Sequence, residues 1–430
     1  LGAIPLIAEA FVPDMSRHQI GVGIADPTPM RVLKVTQSYY PFLERGGPTV
    51  KVRAIARGLT QRGHLITVLT SDLGLEQIAD GTDAAVRGPW GWQSRRDSVE
   101  TLYLQSWAHY RSLTWNPGVF GFCRERLASF EIVHIYGLYD LLGPIVARAC
   151  RRIGVPYVIE PMGMFRPIVR NIWLKKVYRT CLGGAMVRNA RRVVVTSPQE
   201  QAELVEEDVP KAKIILRRNG IELPEQLPAL GVFRRRWCIS EDVTVVLFLG
   251  RLVSKKSPEL LLEAFARWKS LSGANRKAIL VLAGPDEGDG YREQLEVHAA
   301  RLHLDKTTLF TGALYDDAKW SAFRDADLFV LSSQNENFGN TAAEAVACGT
   351  PVLVTDRCGV APLVAGRAGI VVPHERDALA TALADLLDNG KLRQRLKEGC
   401  AEVVRELDWA EPLAETEMLY ANVVNETKRR

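Results

Sequence analysis

The sequence predicts an α/β protein made of two doubly wound, Rossmann-like domains that face each other across a deep cleft. Three observations carry that reading. The 430 residues exceed the length over which a single hydrophobic core usually keeps growing. Short β-branched runs alternate with amphipathic stretches, the pattern of a parallel sheet covered on both faces. The alternation breaks after Asn219–Gly220 at a Pro-rich stretch, Leu223–Gly231, and then begins again.

Residues 1–30 show no sustained period and are expected to form an extension. Deleting 1–29, so that Met30 starts the chain, should cost little. Leu1–Pro13, although partly apolar, is not expected to be a signal peptide. Order should begin at Arg31–Gln37, a short buried strand. Further strands are predicted at Leu65–Thr70, Ile132–Tyr136, Tyr157–Glu160, Arg192–Ser197 and Ile214–Arg218, with helices such as Thr49–Arg62 and Gly143–Ile153 between them. The second half repeats the plan. Strands are expected at Thr244–Gly250, Ala278–Ala283, Thr308–Thr311, Leu328–Ser332, Pro351–Thr355 and Gly369–Val372. The intervening helices are Pro258–Ser270, Tyr291–Leu302, Ala318–Ala326, Asn340–Cys348 and Arg376–Asn389. This divides the chain at 31–222 and 223–404, with 405–430 as a closing segment.

Composition excludes several classes. With 47% apolar and 24% charged residues and no apolar run long enough to cross a bilayer, the chain reads as a soluble globular protein. Its seven cysteines lie far apart with no CxxC pair, which points to a reducing, cytoplasmic compartment and to neither zinc nor disulfides. Residues 1–222 hold 29 Lys and Arg against 20 Asp and Glu, a balance of +9 within a net charge of +5, so the remainder carries −4. A basic first half suits an anionic partner such as lipid phosphate; no nucleic acid is expected.

Four features converge on the expected cleft. Gly46–Gly47–Pro48 opens the first helix, where glycine lets backbone N–H groups approach a phosphate. Gly250–Arg251–Leu252 with Lys255–Lys256 leaves the first strand of the second half, so that a guanidinium and an ammonium can clamp a diphosphate. The string Ser332–Asn340 runs from a strand into a helix; Glu336 and Glu344 suit a polyhydroxyl ligand, and the amides around Asn337–Asn340 can donate to its oxygens. Phe310–Thr311–Gly312 ends a strand in a turn whose backbone could meet a base.

These residues resemble the retaining glycosyltransferases of family 4, which have the GT-B fold. The matching strings are GGPTVKVRAIARGLTQRGHLITVLT (46–70), GRLVSKKSPELLLEAF (250–265), LVLAGPD (280–286), LFTGALYDD (309–317) and ADLFVLSSQNENFGNTAAEAVACGTPVL (326–353). The resemblance implies that the first half faces the acceptor and the second binds a nucleotide-sugar donor. Leu407–Trp409 and Leu413–Val424 are similar to the family's closing helix, which crosses back to the first domain. Arg251, Lys256 and Glu336 would be catalytic. Gly47, Gly312, Asn337, Phe338, Gly339, Asn340 and Glu344 would bind the donor, with Glu344 on the ribose. No metal or other cofactor is implied, since Arg and Lys neutralise the diphosphate. One departure stands out. Relatives often carry His in a Pro-His-Gly-Met loop, and here Glu160–Pro161–Met162–Gly163–Met164 places Met162 there. Arg166 and His134 are the polar candidates left on the acceptor side, although a histidine on a strand is more often structural.

The expected reaction moves a sugar to a glycan or lipid-linked acceptor in surface polysaccharide or lipopolysaccharide assembly. The rivals are a nucleotide-sugar epimerase of the same fold and a non-catalytic nucleotide-sugar-binding protein. Phe165–Thr180 mixes five cations with Phe165, Trp173 and Tyr178, a composition that suits an anionic inner membrane face or a helix packed on its own domain.

Overall fold

A computed structural model describes residues 28–42, 47–73, 75, 85–110, 113–165, 172–271, 277–286, 288 and 290–429. The expected extension over 1–29 thus falls almost wholly outside the described residues.

Two sheets organise the chain. The first has nine strands, in spatial order Ile214–Leu216, Arg192–Val195, Tyr157–Glu160, Ile132–Tyr136, Arg31–Val35, Leu65–Ser71, Val99–Leu104, Gly91–Arg96 and Val86–Gly88. The second has six, in the order Thr308–Gly312, Ala278–Ala283, Thr244–Leu249, Leu328–Leu331, Val352–Thr355 and Gly369–Val372. Every pairing in the second sheet is parallel. The first departs from expectation at one edge, where Gly91–Arg96 pairs antiparallel with both its neighbours. Those strands carry Arg87, Trp92, Arg95 and Arg96 and stand half in solvent, so they lack the continuous apolar run that marks a buried parallel strand.

Side chains alternate across each sheet and fill a core on either face. In the strand Thr244–Leu249, Val245 and Leu247 join one cluster while Val246 and Phe248 join another. In the first sheet Leu33 and Val35 face one core and Val32 the other.

The closing helix, Ala410–Lys428, completes the first half. Leu413, Leu419, Tyr420 and Val423 pack with Val32, Ile55, Leu59 and Tyr136. Polar ties fix its register: Arg62 and His64 both meet Glu417, at 2.7 and 3.0 Å, and Arg217 donates to the Thr416 hydroxyl at 3.1 Å.

In the parallel part of each sheet the strand order reverses at one point. The reversal lies beside Arg31–Val35 in the first and between Thr244–Leu249 and Leu328–Leu331 in the second. Loops leaving the carboxyl ends of two such strands diverge and leave a crevice. The chain places its unusual residues there.

Candidate active site

The second sheet's crevice is bounded by Gly250–Ser257 and Ser332–Gly339. The two loops are sewn together at the backbone: Gln334 N–H donates to the Lys255 carbonyl at 2.9 Å, and the Ser332 hydroxyl reaches the carbonyls of Lys256 and Ser257 at 3.1 and 2.8 Å. Across the gap Lys256 pairs with Glu336. Two residues expected to be catalytic, 80 positions apart, therefore meet directly. Arg251 stands exposed at the strand end. Burial lowers the pKa of the neighbouring Lys255 ammonium, and the nearby Glu336 carboxylate opposes that shift.

A third segment braces the loop. Glu336 N–H donates to Arg357 O, Gly359 N–H to Glu336 O and Val360 N–H to Phe338 O, at 2.8, 3.0 and 2.6 Å. Gly339, with φ 99°, turns the chain into the helix Asn340–Ala347. The Phe338 ring is buried in the second half's core, which leaves only its backbone for a ligand. Glu344 lies one turn into this helix and accepts from Lys319 at 3.0 Å. Its carboxyl pKa is raised by burial, with Lys319 opposing that shift. Gly312, at φ 75°, accepts from Gly284 N–H at 2.8 Å and ends its strand in the expected turn.

The two halves meet along this loop. Asn219 donates to the Asn340 amide oxygen at 3.3 Å, and Asn335 donates to Glu203 at 3.2 Å. A Cβ on Gly47 would lie 3.1 Å from Asn340 Nδ2, and one on Gly163 would lie 3.0 Å from the Asn337 Cβ. Between the halves opens a cleft of about 510 Å³, lined by Lys51, Asn219, Gly220 and Trp409 on one side and by Tyr315, Lys319, Asn340 and Glu344 on the other. Among the described residues, buried Asn219 Oδ1, Asn337 Oδ1 and Thr341 Oγ1 have no hydrogen-bond partner. Such groups are normally satisfied, so a polar ligand suits this seam.

The acceptor-side expectations fare differently. His134 is wholly buried: its Nδ1 lies 2.6 Å from the Tyr420 hydroxyl and its ring stacks on Tyr136. It cannot touch an acceptor, because strand residues facing the closing helix are sealed by it. Burial and the cations Lys34, Arg217 and Lys51 hold its pKa well below the ordinary value. Met162 takes a left-handed φ of 57° and packs against the cluster that includes Tyr136 and Tyr420. Arg166 lies outside the described residues. In Phe165–Thr180, Phe165 is buried, Arg179 pairs with Glu207 at 2.8 Å and Lys175 lies over the Tyr139 ring. Trp173, Lys176 and Val177 remain exposed.

Sequence reasoning passed over Lys51, Asn219, Lys319 and the buried Glu160. Glu160 pairs with Lys51 and accepts from Arg217 at 2.8 Å, which ties the first helix to the strand end before Asn219. Lys51 carried a signal: it sits in register with Ile55 and Leu59 on the helix's buried stripe. Burial lowers its ammonium pKa to about 8. Lys319, on the helix Asp316–Asp325, carried no such signal.

Comparisons with known proteins agree with this fold. Residues 46–220 match the family described as a glycosyl transferase 4-like domain, and residues 232–402 match glycosyl transferases group 1. A D-inositol 3-phosphate glycosyltransferase of Streptomyces scabiei is 29% identical over 340 residues, 76% of this chain and 72% of that protein. One from Corynebacterium glutamicum is 27% identical over 419 residues, covering 92% and 97%. Among solved structures, sucrose-phosphate synthase of Thermosynechococcus elongatus superposes with a TM-score of 0.70 at 21% identity, covering 92% of this chain and 100% of that one. HepE of Anabaena, in complex with UDP and glucose, gives 0.69 at 17% identity over the same shares. The fold is thus the GT-B arrangement.

Proposed function

This chain belongs to the group 1 glycosyltransferases, and from that premise we propose that it transfers a sugar, with retention, from a nucleotide-diphospho-sugar to a hydroxyl of a glycan or lipid-linked acceptor. The observation that carries the proposal is the Lys256–Glu336 pair astride the switch point, in a loop that runs into Asn340 and Glu344 at the cleft. Lys256 and Arg251 neutralise the diphosphate, and Glu336 accepts from hydroxyls of the donor sugar. The backbone of Asn337, Phe338 and Gly339 donates to donor oxygens, Gly312 meets the base, and Glu344 holds the ribose. Gly47 approaches the phosphate from the other half. The bond from the sugar's anomeric carbon to the β-phosphate oxygen breaks while the acceptor oxygen bonds to that carbon on the same face. The acceptor's proton passes to an oxygen of the departing nucleoside diphosphate.

Uridine donors are the first to test, since HepE was solved with UDP-glucose. A panel of UDP-, ADP- and GDP-sugars screened by thermal shift finds the donor: a ligand at 100 times its Kd stabilises by about 2.7 kcal/mol. With that donor, Lys256→Ala should lower kcat by a factor corresponding to about 2.7–4 kcal/mol, because charge on the leaving group grows in the transition state. A larger loss from Lys255→Ala would overturn the assignment. Isomerisation of the donor without acceptor would make the protein an epimerase, and binding without turnover would make it a carrier.

A cytoplasmic location on the inner membrane face, in surface polysaccharide assembly, is the setting this reading favours. Its support is the +9 balance of residues 1–222 and the exposed Trp173, Lys176 and Val177. Salt-sensitive sedimentation with anionic vesicles would uphold the setting, and absence of binding at low salt would remove it.

A further inference from the structure

Lys319 and Glu344 reach the cleft from different helices, 25 positions apart, and meet at 3.0 Å. Lys319 is held from a second side, with its ammonium 4.1 Å from the Trp320 ring centre. The bond takes Oε1 of Glu344. A carboxylate offers about four lone-pair positions, so two or more remain for hydroxyl donors arriving from the cleft. Among the described residues Lys319 is the side chain that pairs with Glu344.

We propose that Lys319 is a positioning residue of the donor pocket: it keeps Glu344 charged and aimed, and thereby makes the pocket select nucleotides that carry both ribose hydroxyls. The inference rests on the assignment of Glu344 to the ribose. A charged carboxylate accepts from both hydroxyls of a diol, whereas a protonated one offers a poorer acceptor and a competing O–H. Burial disfavours the charged form, and Lys319 offsets it. The other charged or titratable groups nearby are Tyr315, Asp316 and Arg324 on or beside the Lys319 helix, Cys348 on the Glu344 helix, and Lys51 and Glu222 across the cleft. Cys348 is raised to about 12 by burial and stays neutral through the working range. Lys51, near 8, changes charge only at the alkaline end. Neither moves the acidic limb.

The experiment is calorimetry of the full chain with UDP, ADP and GDP and their 2′-deoxy counterparts, from pH 5.5 to 8. The wild type should prefer the ribonucleotide. Lys319→Met should weaken ribonucleotide binding by about tenfold or more near neutrality, in line with loss of a hydrogen bond to a charged group. The loss should shrink as the pH rises, because the isolated carboxyl then ionises. Preference over the deoxynucleotide should collapse at low pH, and Lys319→Arg should restore both. A pH-independent loss in Lys319→Met, or a preserved ribose preference, would overturn the inference. Glu344→Gln separates the two layers. If it leaves ribonucleotide affinity unchanged, the ribose assignment itself fails. If it weakens binding while Lys319→Met does not, only the role of Lys319 fails.

Discussion

Replacing Gly359 by alanine tests whether the loop 336–339 must be held in place for turnover. A Cβ at position 359 would lie 2.0 Å from the Asn337 carbonyl oxygen and 2.7 Å from the Ser197 Cβ, where contacts under 3.0 Å are essentially never seen. Gly359 does not use the left-handed region, so the conflict is purely steric. Since Asn337 O is backbone, relief requires the loop to retreat by about 1 Å, and a misplacement of that size in a reacting complex can cost about 10²-fold. That corresponds to about 2.7 kcal/mol in the barrier. Overpacking should also cost about 1–3 kcal/mol in stability. Steady-state kinetics with the matching donor would be read beside thermal unfolding. Gly390→Ala serves as a control, because its nearest neighbour would lie at 4.0 Å. A Gly359→Ala protein with wild-type kcat and KM would refute the reasoning: the loop would be either slack or outside the site.

Two further predictions concern buried polar groups. Burial raises the Glu200 carboxyl from 4.5 to about 7, while it accepts from Gly163 and Thr196 N–H at 2.5 and 3.0 Å. The native state therefore holds a proton that the unfolded chain loses above about 4.5, and the associated stability, on the order of 3 kcal/mol, should be lost as the pH rises through 7. Unfolding free energies at pH 5 and 8 should differ by less in Glu200→Gln than in the wild type; an equal difference would contradict this. Tyr420→Phe removes the hydroxyl that His134 and Lys34 meet at 2.6 and 3.2 Å; Lys34 keeps its bond to the Tyr136 hydroxyl at 2.8 Å, but the buried His134 Nδ1 loses its partner, which should cost about 1–3 kcal/mol in denaturant unfolding. Unchanged stability would show that the Tyr420 hydroxyl contributes nothing to holding the closing helix.

The second half was legible because its motifs are local. Gly250, Lys256, Glu336 and Glu344 occur in short strings at strand ends, where continuous apolar runs such as Thr244–Leu249 announce the strand and glycine announces the turn. The edge strands over 86–96 were not legible. They carry charged, polar and aromatic residues and pair antiparallel, so the test for buried β-branched runs passed over them. His134, an acceptor-side candidate set against the structural role that a strand histidine more often has, could not be decided for a related reason: a strand position has two faces, and only the closing helix, 286 residues further on, decides which face is sealed.

The same distinction explains which functional residues stayed hidden. Lys319, Asn219 and Gly359 act across tertiary gaps, on Glu344, Asn340 and Asn337 respectively, and nothing within a few positions of each betrays its partner. Glu160 shows the physical consequence. It is buried with Lys51 and Arg217 beside it and Lys34 close enough to act on its charge, and these cations hold its carboxyl below the ordinary value against the opposing effect of burial. Removing one partner from such a cluster strands the remaining charges in a medium that cannot solvate them. The first helix that carries Gly47, the strand end that leads to Asn219 and the loop that carries Met162 are therefore positioned by one carboxylate. The acceptor half lacks the short strings of the donor half because its geometry is set by this buried hub, whose members lie up to 183 residues apart in the chain, from Lys34 to Arg217.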